Sequence, residues 1–398
     1  MTLNIIGGTY GEVCIDPVWR EIYGSGLRAA HALSSYNVDI ILHTCIGNDD
    51  LGELTSIANS INVQLSITPC DETHIFTYDY PLASPRFNSP KTGFVCINVT
   101  ASNILQFGMI EGGASVEAEQ VVYDPQSPSN PQSFWNNGSK TNKLIWIANL
   151  EETSKFAGSQ ELSEIRNYLF NKERVYAAVI KKGSDGAIVM QDGEDDLIVP
   201  AFKTNKVWPI GTGDIFSASF AYHYFFKQLT IADSAWHASL FTAFYSETIV
   251  LPLPEKVDQL KYDTFLKVND ETIKKVYLAG PFFSMAQRWL IEQCRNQLLK
   301  FGLDVFSPYH DVGLGVPEHV VSLDIDALND ADIVLAVLDG LDTGTIFEIG
   351  FAKSRNIPVI VFAESQEGEA FTMIKGSGCI IESDFSTAIY KTVWEVYK

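Results

Sequence analysis

Val276-Tyr-Leu-Ala-Gly-Pro-Phe-Phe283 is the stretch on which the organisation of the chain turns. A short apolar, β-prone run ends in Gly-Pro, and a helical pattern follows over Ala286–Lys300. Strand, glycine turn and helix together mark the start of an α/β core, and about 125 residues remain from there to Lys398, a common domain size. Just upstream, Leu-Pro-Leu-Pro-Glu at Leu251–Glu255 ends a helical region, and a charged stretch follows. The expected boundary therefore falls within Pro252–Glu271, and the expected domains are residues 1–265 and 272–398.

Outward from that point the same alternation runs in both directions. Val38–His43, Gln120–Tyr123, Lys143–Ile147, Val175–Ile180, Ile333–Leu338 and Val359–Phe362 are short strand-like runs separated by helical patterns. Such alternation predicts α/β architecture, with mainly parallel sheets covered by helices on both faces. Leu65–Val99 breaks the pattern, being rich in Thr, Tyr, Pro and Ser, and reads as a small antiparallel lid or an irregular insertion. There is no internal repeat and no low-complexity tract.

A chain of 398 residues with 46% hydrophobic residues can bury two cores. Its net charge of −21 repels a phosphate backbone, so a nucleic-acid polymer is not an expected partner. A mononucleotide held by backbone amides remains compatible with that charge. Cys14, Cys45, Cys70, Cys96, Cys294 and Cys379 form no C-x-x-C pair and read as free thiols of a reducing cytosol. No run approaches the ~20 apolar residues of a membrane helix, and the first residues read as a strand instead of a leader. The expected location is cytoplasmic. His310 and His319 flank a glycine-bearing loop but have no Cys or His neighbour at zinc spacing.

In the N-terminal part the sharpest signal is Trp208-Pro-Ile-Gly-Thr-Gly-Asp-Ile-Phe-Ser-Ala-Ser-Phe220. Gly211, Thr212 and Gly213 let successive N–H groups converge, and the helix start adds partial positive charge, which suits an anion. Asp214 can accept the proton of an attacking hydroxyl, or it is simply a helix N-cap. Asn149-Leu-Glu-Glu152, an N-x-x-E after a strand, can hold the hydration shell of a Mg²⁺. Lys182-Gly183-Ser-Asp-Gly186 reads as a turn near a nucleotide, and Gly24-Ser25-Gly26 as a close approach to substrate. Ile46–Gly52 is a further turn after a strand. Each of these has a plainer reading as cap, hairpin turn or loop.

Their order over Leu3–Leu253 resembles the PfkB (ribokinase-like) carbohydrate and nucleoside kinases. The resemblance implies a ribokinase-like α/β sandwich, ATP as donor with Mg²⁺, Asp214 as base, and a sugar or nucleoside hydroxyl as acceptor. The cofactor residues it implies are Gly211, Thr212, Gly213, Gly183 and Gly186, with Asn149 and Glu152 holding Mg²⁺ indirectly. Gly24, Ser25 and Gly26 would face substrate. The sequence departs from that family at Trp208-Pro209-Ile210, where Asp-Thr is usual, and its substrate-binding acid has only Glu12 and Asp16 as candidates. Binding without turnover is therefore an open reading.

In the C-terminal part, Asp339-Gly-Leu-Asp342-Thr-Gly-Thr345-Ile-Phe-Glu348-Ile-Gly-Phe-Ala352 is the richest segment. Asp342 and Glu348 at one sheet edge can divide the cleavage of an N-glycosidic bond. Alternatively, Thr345–Glu348 is a capping box and Asp342 a turn residue. Residues from Lys274 to Lys398 resemble the nucleoside 2-deoxyribosyltransferases in the Tyr277 strand with Ala279-Gly280-Pro281, the Phe306-Ser-Pro308 loop, Asp324 eight residues before Asp332, and this run. The resemblance implies a flavodoxin-like doubly wound parallel sheet, Glu348 as nucleophile, Asp342 and Asp324 at the base, and Tyr277 positioning Glu348. Gly280 and Pro281 would shape the substrate loop, and sites shared between subunits would make a homo-oligomer. Thr372-Met373 is the sole candidate for a residue sent into a neighbouring subunit, so hydrolysis in place of transfer stays open.

The leading reading is a bifunctional transferase of nucleoside or sugar metabolism, with a small-molecule nucleoside, nucleotide or sugar as partner. The alternative is a nucleotide- or NAD-cleaving effector whose kinase-like domain only senses a nucleotide. A third reading, two decayed binding sites, is opposed by the intact Gly211–Asp214 and Asp342–Glu348 segments.

Overall fold

The computed structural model describes residues 2–88, 95–126, 131–256, 260–267, 272–313, 316–364 and 371–398. It divides into two compact units, Met1–Thr204 with Trp208–Leu266, and Asn205–Val207 with Lys267–Lys398. Glu271, the far end of the expected boundary, lies outside the described residues.

The first unit opens with β1 (Thr2–Ile6), β2 (Gly11–Cys14), β3 (Trp19–Ile22), α1 (Gly24–Leu33), β4 (Asp39–Gly47), α2 (Leu51–Ser60) and β5 (Gln64–Cys70). It continues with β6 (Ile75–Tyr78), β7 (Arg86–Phe87), β8 (Val95–Phe107), β9 (Gly112–Asp124) and β10 (Lys140–Asn149). After these come α3 (Leu150–Ala157), α4 (Leu162–Asn171), β11 (Ala177–Lys181), β12 (Ala187–Gln191), β13 (Leu197–Val199) and β14 (Ala201–Phe202). Two buried helices, α5 (Thr212–Phe225) and α6 (Ile231–Thr248), and the short β15 (Thr264–Phe265) complete it.

Its main sheet has nine strands in the order β13-β12-β11-β10-β9-β8-β1-β4-β5. From β11 to β5 all neighbours pair in parallel; β12 and β13 extend the edge antiparallel. Parallel strands buried on both faces read as continuous apolar runs, which is why Leu144–Ala148 and Ala177–Ile180 are both apolar and buried. The parallel strands deliver Gly7, Gly108, Asp124, Asn149 and Lys181 to one carboxyl edge, where open α/β sheets bind ligands. Leu65–Val99 proves composite. Its start, within β5, belongs to the main sheet, while β6 and β7 join β2 and β3 in a separate four-stranded sheet.

β8 and β9 are both 13 residues long and pair in parallel. A straight strand of that length spans roughly 43 Å, and the four-residue link 108–111 reaches at most about 18 Å, so both strands must fold back. The register skips Ser102–Glu119 in the β8–β9 pair and Asn142 in the β9–β10 pair, which places one corner across three strands. The arms enclose Ile97, Val99, Ala114 and Val116 in a core with Ile104, Val121 and Trp146.

The second unit contains β16 (Lys275–Ala279), α7 (Met285–Lys300), β17 (Asp304–Phe306), α8 (Pro317–Asp330) and β18 (Ile333–Val337). It ends with α9 (Thr343–Ser354), β19 (Val359–Phe362), α10 (Thr372–Gly376), β20 (Ile380–Glu382) and α11 (Phe385–Val396). The sheet is wholly parallel in the order β17-β16-β18-β19-β20, which is the flavodoxin-like 2-1-3-4-5 arrangement. The α/β class expected from the sequence is borne out in both units. The strand order changes direction between β16 and β18, so the loops after Ala279 and Val337 flank the switch point where such sheets bind ligands. Among the described residues no helix is long and apolar enough to cross a membrane.

Candidate functional sites

In the second unit the interior strand β16 carries Tyr277, fully buried, and its hydroxyl donates to Glu348 Oε1 at 2.6 Å. Phe306, from the neighbouring β17, stacks on the Tyr277 ring with centroids 5.5 Å apart. Glu348 lies in the second turn of α9, at the switch point. Burial pushes its carboxyl up to about 7, against the pull of the Tyr277 bond, and Asp324 and Asp342 push the same way as burial. Burial and the Glu348 charge raise the Tyr277 phenol far above its usual value.

The capping-box alternative for Thr345–Glu348 is corrected by the structure. The N-cap of α9 is Asp342, whose Oδ2 accepts from both Thr345 N and Thr345 Oγ1 at 2.8 Å. With the cap supplied one turn earlier, Glu348 is not needed there and turns to Tyr277. Asp342, whose plainer reading is a turn residue, is instead the helix cap. Asp324, on α8, has a buried Oδ1 with no hydrogen-bond partner, and burial raises its carboxyl. Gly280 is required by packing: a Cβ there would sit 2.6 Å from Ile291 Cδ1 and 3.0 Å from Val337 Cβ. Pro281 beside it is buried. Thr372 and Met373 begin α10, and Met373 is exposed.

The first unit holds a cavity of about 290 Å³ at the carboxyl edge, lined among others by Glu12, Gly24, Ser25, Arg28, Gln126, Glu152, Gly211, Gly213 and Asp214. Gly211 caps α5 in a left-handed conformation (φ 79°) without any side-chain bond. Asp214, in the first turn, is therefore not the N-cap of its simplest reading. Its Oδ2 accepts from Arg28 Nη1 at 2.8 Å and its Oδ1 from Gln126 Nε2 at 3.0 Å. Arg28 is 1% exposed. It also grips Glu12 with both guanidinium ends, donates through Nε to Tyr245 Oη at 3.2 Å, and lies over the Tyr23 ring. These acids hold its positive charge more firmly, against the cost of burial.

Beside that cluster Lys181 Nζ bonds Asp124 Oδ2 at 2.7 Å, and Ser217 Oγ donates to the same oxygen at 2.7 Å. Lys181 Nζ also lies 3.4 Å from where a Cβ on Gly213 would be, at the start of α5. Asp124 is fully buried, its Oδ1 has no partner, and burial raises its carboxyl. Burial, with the Asp124 charge, pushes Glu152 up to about 7.

Asn149 and Glu152 form a reciprocal capping box on α3, at 2.7 and 3.1 Å, so the N-x-x-E spacing has a structural use whatever else Glu152 does. Gly183 and Gly186 make the β11–β12 hairpin turn, where a Cβ on Gly186 would sit 2.0 Å from Val199 O; neither lines the cavity. Gly24 and Gly26 pack against Gly8 and Gly7, and Ser25 keeps a buried hydroxyl without a partner. Sequence reasoning missed Arg28, Asp124, Gln126 and Lys181. The signals were there: a lone Arg in an otherwise apolar helix start, and charged residues closing the apolar runs Val121–Tyr123 and Ala177–Ile180.

The family profile described as pfkB family carbohydrate kinase matches residues 117–241. The profile described as nucleoside 2-deoxyribosyltransferase matches residues 276–385. Both resemblances read from the sequence are thus found again by profile. No curated protein matches the chain. Among solved structures the chain is similar to a pyrophosphate-dependent kinase of the ribokinase family complexed with a pyrophosphate analog and myo-inositol (15% identity, TM-score 0.45, 64% of this chain and 98% of that one). It is also similar to a fructokinase from Vibrio cholerae O395 with fructose, ADP and potassium bound (16%, 0.49, 62% and 92%). A third is an aminoimidazole riboside kinase from Salmonella enterica (14%, 0.48, 62% and 93%).

Proposed function

We propose that the chain is a two-site transferase of nucleoside or sugar metabolism, in which the second unit cleaves an N-glycosidic bond with Glu348 as nucleophile. The observation that carries this reading is the Tyr277–Glu348 bond of 2.6 Å, made by a carboxylate that the Asp342 cap leaves free. Glu348 attacks the anomeric carbon, the C–N bond breaks, and its electron pair leaves with the base. Asp324, whose carboxyl is raised by burial, is the group that delivers a proton to the departing nitrogen. A second base or water then displaces Glu348 from the opposite face. Two inversions retain configuration. Exposed Phe283, Met285 and Phe347 on this unit support self-association, which size-exclusion chromatography with light scattering checks.

In the first unit we assign a phosphate-bearing ligand to the α5 N-terminus and Lys181, with ATP as donor and Asp214 as base for a sugar or nucleoside hydroxyl. In that step the acceptor oxygen bonds the γ-phosphorus, ADP departs, and the hydroxyl proton passes to Asp214. A Mg²⁺ fits the donor set. Asp124 Oδ1 is buried without a partner and the Glu152 carboxyl is raised beside it, so a cation would relieve both. No group of three ligating side chains exists among the described residues, so the ion would be held through water and phosphate oxygens. It would neutralise phosphate charge. The Arg28–Asp214 pair favours the second reading, in which this unit binds its ligand without transferring a phosphoryl group.

The test of the glycosyl reading is a 2-fluoro-substituted nucleoside, which slows breakdown of the glycosyl-enzyme. Mass spectrometry of a digest is expected to place the adduct on the peptide containing Glu348. An adduct on Asp342 or Asp324, or an anomerically inverted product, contradicts the assignment.

A further inference from the structure

We infer that Arg28 is a positioning residue that holds Asp214 out of phosphoryl transfer, so that the first unit in its resting state is a ligand-binding site and not a working kinase. This rests on the ribokinase-like reading of that unit, and it decides which half of the reading operates.

The argument begins with what Asp214 is already doing. Both of its oxygens accept a hydrogen bond, one from a guanidinium and one from an amide. To act as base it must take up a proton, and a protonated Asp214 gives up its half of a buried ion pair. Arg28 stays paired with Glu12, so what is given up is one buried, charge-assisted hydrogen bond that nothing in the cavity replaces. The barrier to transfer therefore includes the loss of the Arg28 pair.

Arg28 cannot easily step aside. Glu12 holds it at both Nη atoms, Tyr245 at Nε, and Tyr23 covers its face at 5.0 Å. The backbone is shaped around it as well. A Cβ on Gly211 would lie 2.2 Å from Arg28 Nε, so the glycine that caps α5 is also the space through which the guanidinium passes.

The same contacts leave the anion-binding half intact. Because Arg28 and Gln126 draw the Asp214 carboxylate to themselves, no side chain caps α5; the Thr212 N–H donates to Pro209 O, and the Gly213 and Asp214 N–H groups face the phosphate position. Ser25 Oγ, buried and without a partner, lines the same cavity and can meet a ligand hydroxyl. The unit thus retains what binding needs and has committed what transfer needs.

The full-length protein tests this with Mg·ATP and four acceptors: ribose, 2-deoxyribose, adenosine and 2′-deoxyadenosine. Calorimetry reads Mg·ATP binding, and phosphorus NMR reads phosphate-ester formation. The parent is expected to bind Mg·ATP and to form ester at least 100-fold more slowly than the Glu12→Gln, Arg28→Met double variant, since a general base typically contributes about 10²–10⁴-fold. Adding Asp214→Asn to the double variant should remove the gain. Should the double variant fail to fold, Arg28→Lys keeps a cation beside Glu12 with a shorter reach and is expected to give a smaller gain of the same sign.

A parent that turns over at ordinary kinase rates, roughly 1–100 per second, overturns the inference while leaving the ribokinase-like reading standing. So does a folded, ATP-binding double variant that stays inactive, or a gain that survives Asp214→Asn. If no protein binds Mg·ATP or any acceptor, the underlying reading of the unit fails, and the inference fails with it.

Discussion

Tyr277→Phe removes one hydroxyl from the centre of the second unit and leaves the ring. The stack on Phe306, at 5.5 Å, needs only the ring, so the fold should persist with a loss of about 1 kcal/mol for one hydrogen bond. The kinetic consequence is larger and has a definite sign. The phenol donates to Glu348 Oε1 and so favours the ionised carboxylate; burial works against it and holds the group up at about 7. A hydrogen bond to a charged group contributes about 1.5–3 kcal/mol, and one pH unit corresponds to about 1.4 kcal/mol. The acid limb of base release should therefore move up by about one to two pH units. The assay is a pH–rate profile of base release from a deoxynucleoside, between pH 5 and 10, with kcat and KM separated. Below the limb the variant should be about 10–100-fold slower than the parent, and at the alkaline end the two should approach each other. A limb that stays in place, moves down, or is replaced by a uniform loss at every pH would refute the claim that Tyr277 acts by stabilising the Glu348 charge.

Asp324→Asn removes a like charge that pushes Glu348 up, so its acid limb should move down, opposite to Tyr277→Phe. Its rate should also fall about 10²–10⁴-fold if Asp324 supplies the leaving-group proton; a limb shift without a rate loss separates the two roles. Glu348→Gln should abolish base release while sparing the fold. The folded-state value of Glu348 is raised from 4.5 to about 7, so its contribution is full below pH 4.5 and is lost as pH rises through 7. At pH 8 the variant should be as stable as the parent or more so, by up to about 3 kcal/mol; a lower melting temperature at pH 8 contradicts this. Asp342→Ala removes the α9 cap and should cost about 1 kcal/mol, or about 3–6 °C for a unit of this size. A kinetic loss far beyond the unfolded fraction would give Asp342 a role at the base.

The alternation of apolar strands and helices was legible throughout, because parallel strands buried on both faces cannot be anything but apolar. Ile333–Val337, the central strand of the second sheet, and Met285–Lys300 lie where their patterns put them. The folded-back arms of β8 and β9 were not legible. Ile97 and Val99 alternate with Asn98 and Thr100, as a half-buried strand does, but what buries them is the parallel partner Ala114–Val116 one coil later. A pairing between distant segments leaves no local mark. Around Glu348 the structure brings Tyr277 into contact as the sequence reading expects, and one alternative fails: the spacing Thr345-x-x-Glu348 fits a capping box, and only the geometry shows Asp342 at that post. Arg28 is the harder case. Its partners Asp214 and Tyr245 lie 186 and 217 positions away, so the sequence shows a buried cation without showing what it answers to.

The two helix starts make a controlled comparison. Both α5 and α9 begin at a glycine- and threonine-bearing loop on the carboxyl edge of a parallel sheet, and both have a carboxylate near the first turn. At α9, the Asp342 carboxylate accepts the Thr345 N–H and sets a negative charge at the helix start, which disfavours an anion there and leaves Glu348, one turn on, out of the cap. At α5, Gly211 offers no side chain to the N–H groups, which leaves that end open to an anion, while Asp214 is pinned sideways by Arg28 and Gln126. Capping and chemistry compete for the same few atoms, and the two units settle the competition in opposite ways. The surrounding charge agrees with the settlement. Glu12, Asp124, Glu152 and Asp214 face only Arg28 and Lys181 among the cations described around the first cavity, so a phosphate ligand enters a site already rich in carboxylate. It gains from the open helix end and loses to the acids unless a divalent cation comes with it. Chelating Mg²⁺ should therefore weaken nucleotide binding to the first unit while leaving base release at Glu348, a metal-free carboxylate mechanism, unchanged. Equal sensitivity of both sites to chelation would contradict the division of labour drawn from these two helix starts.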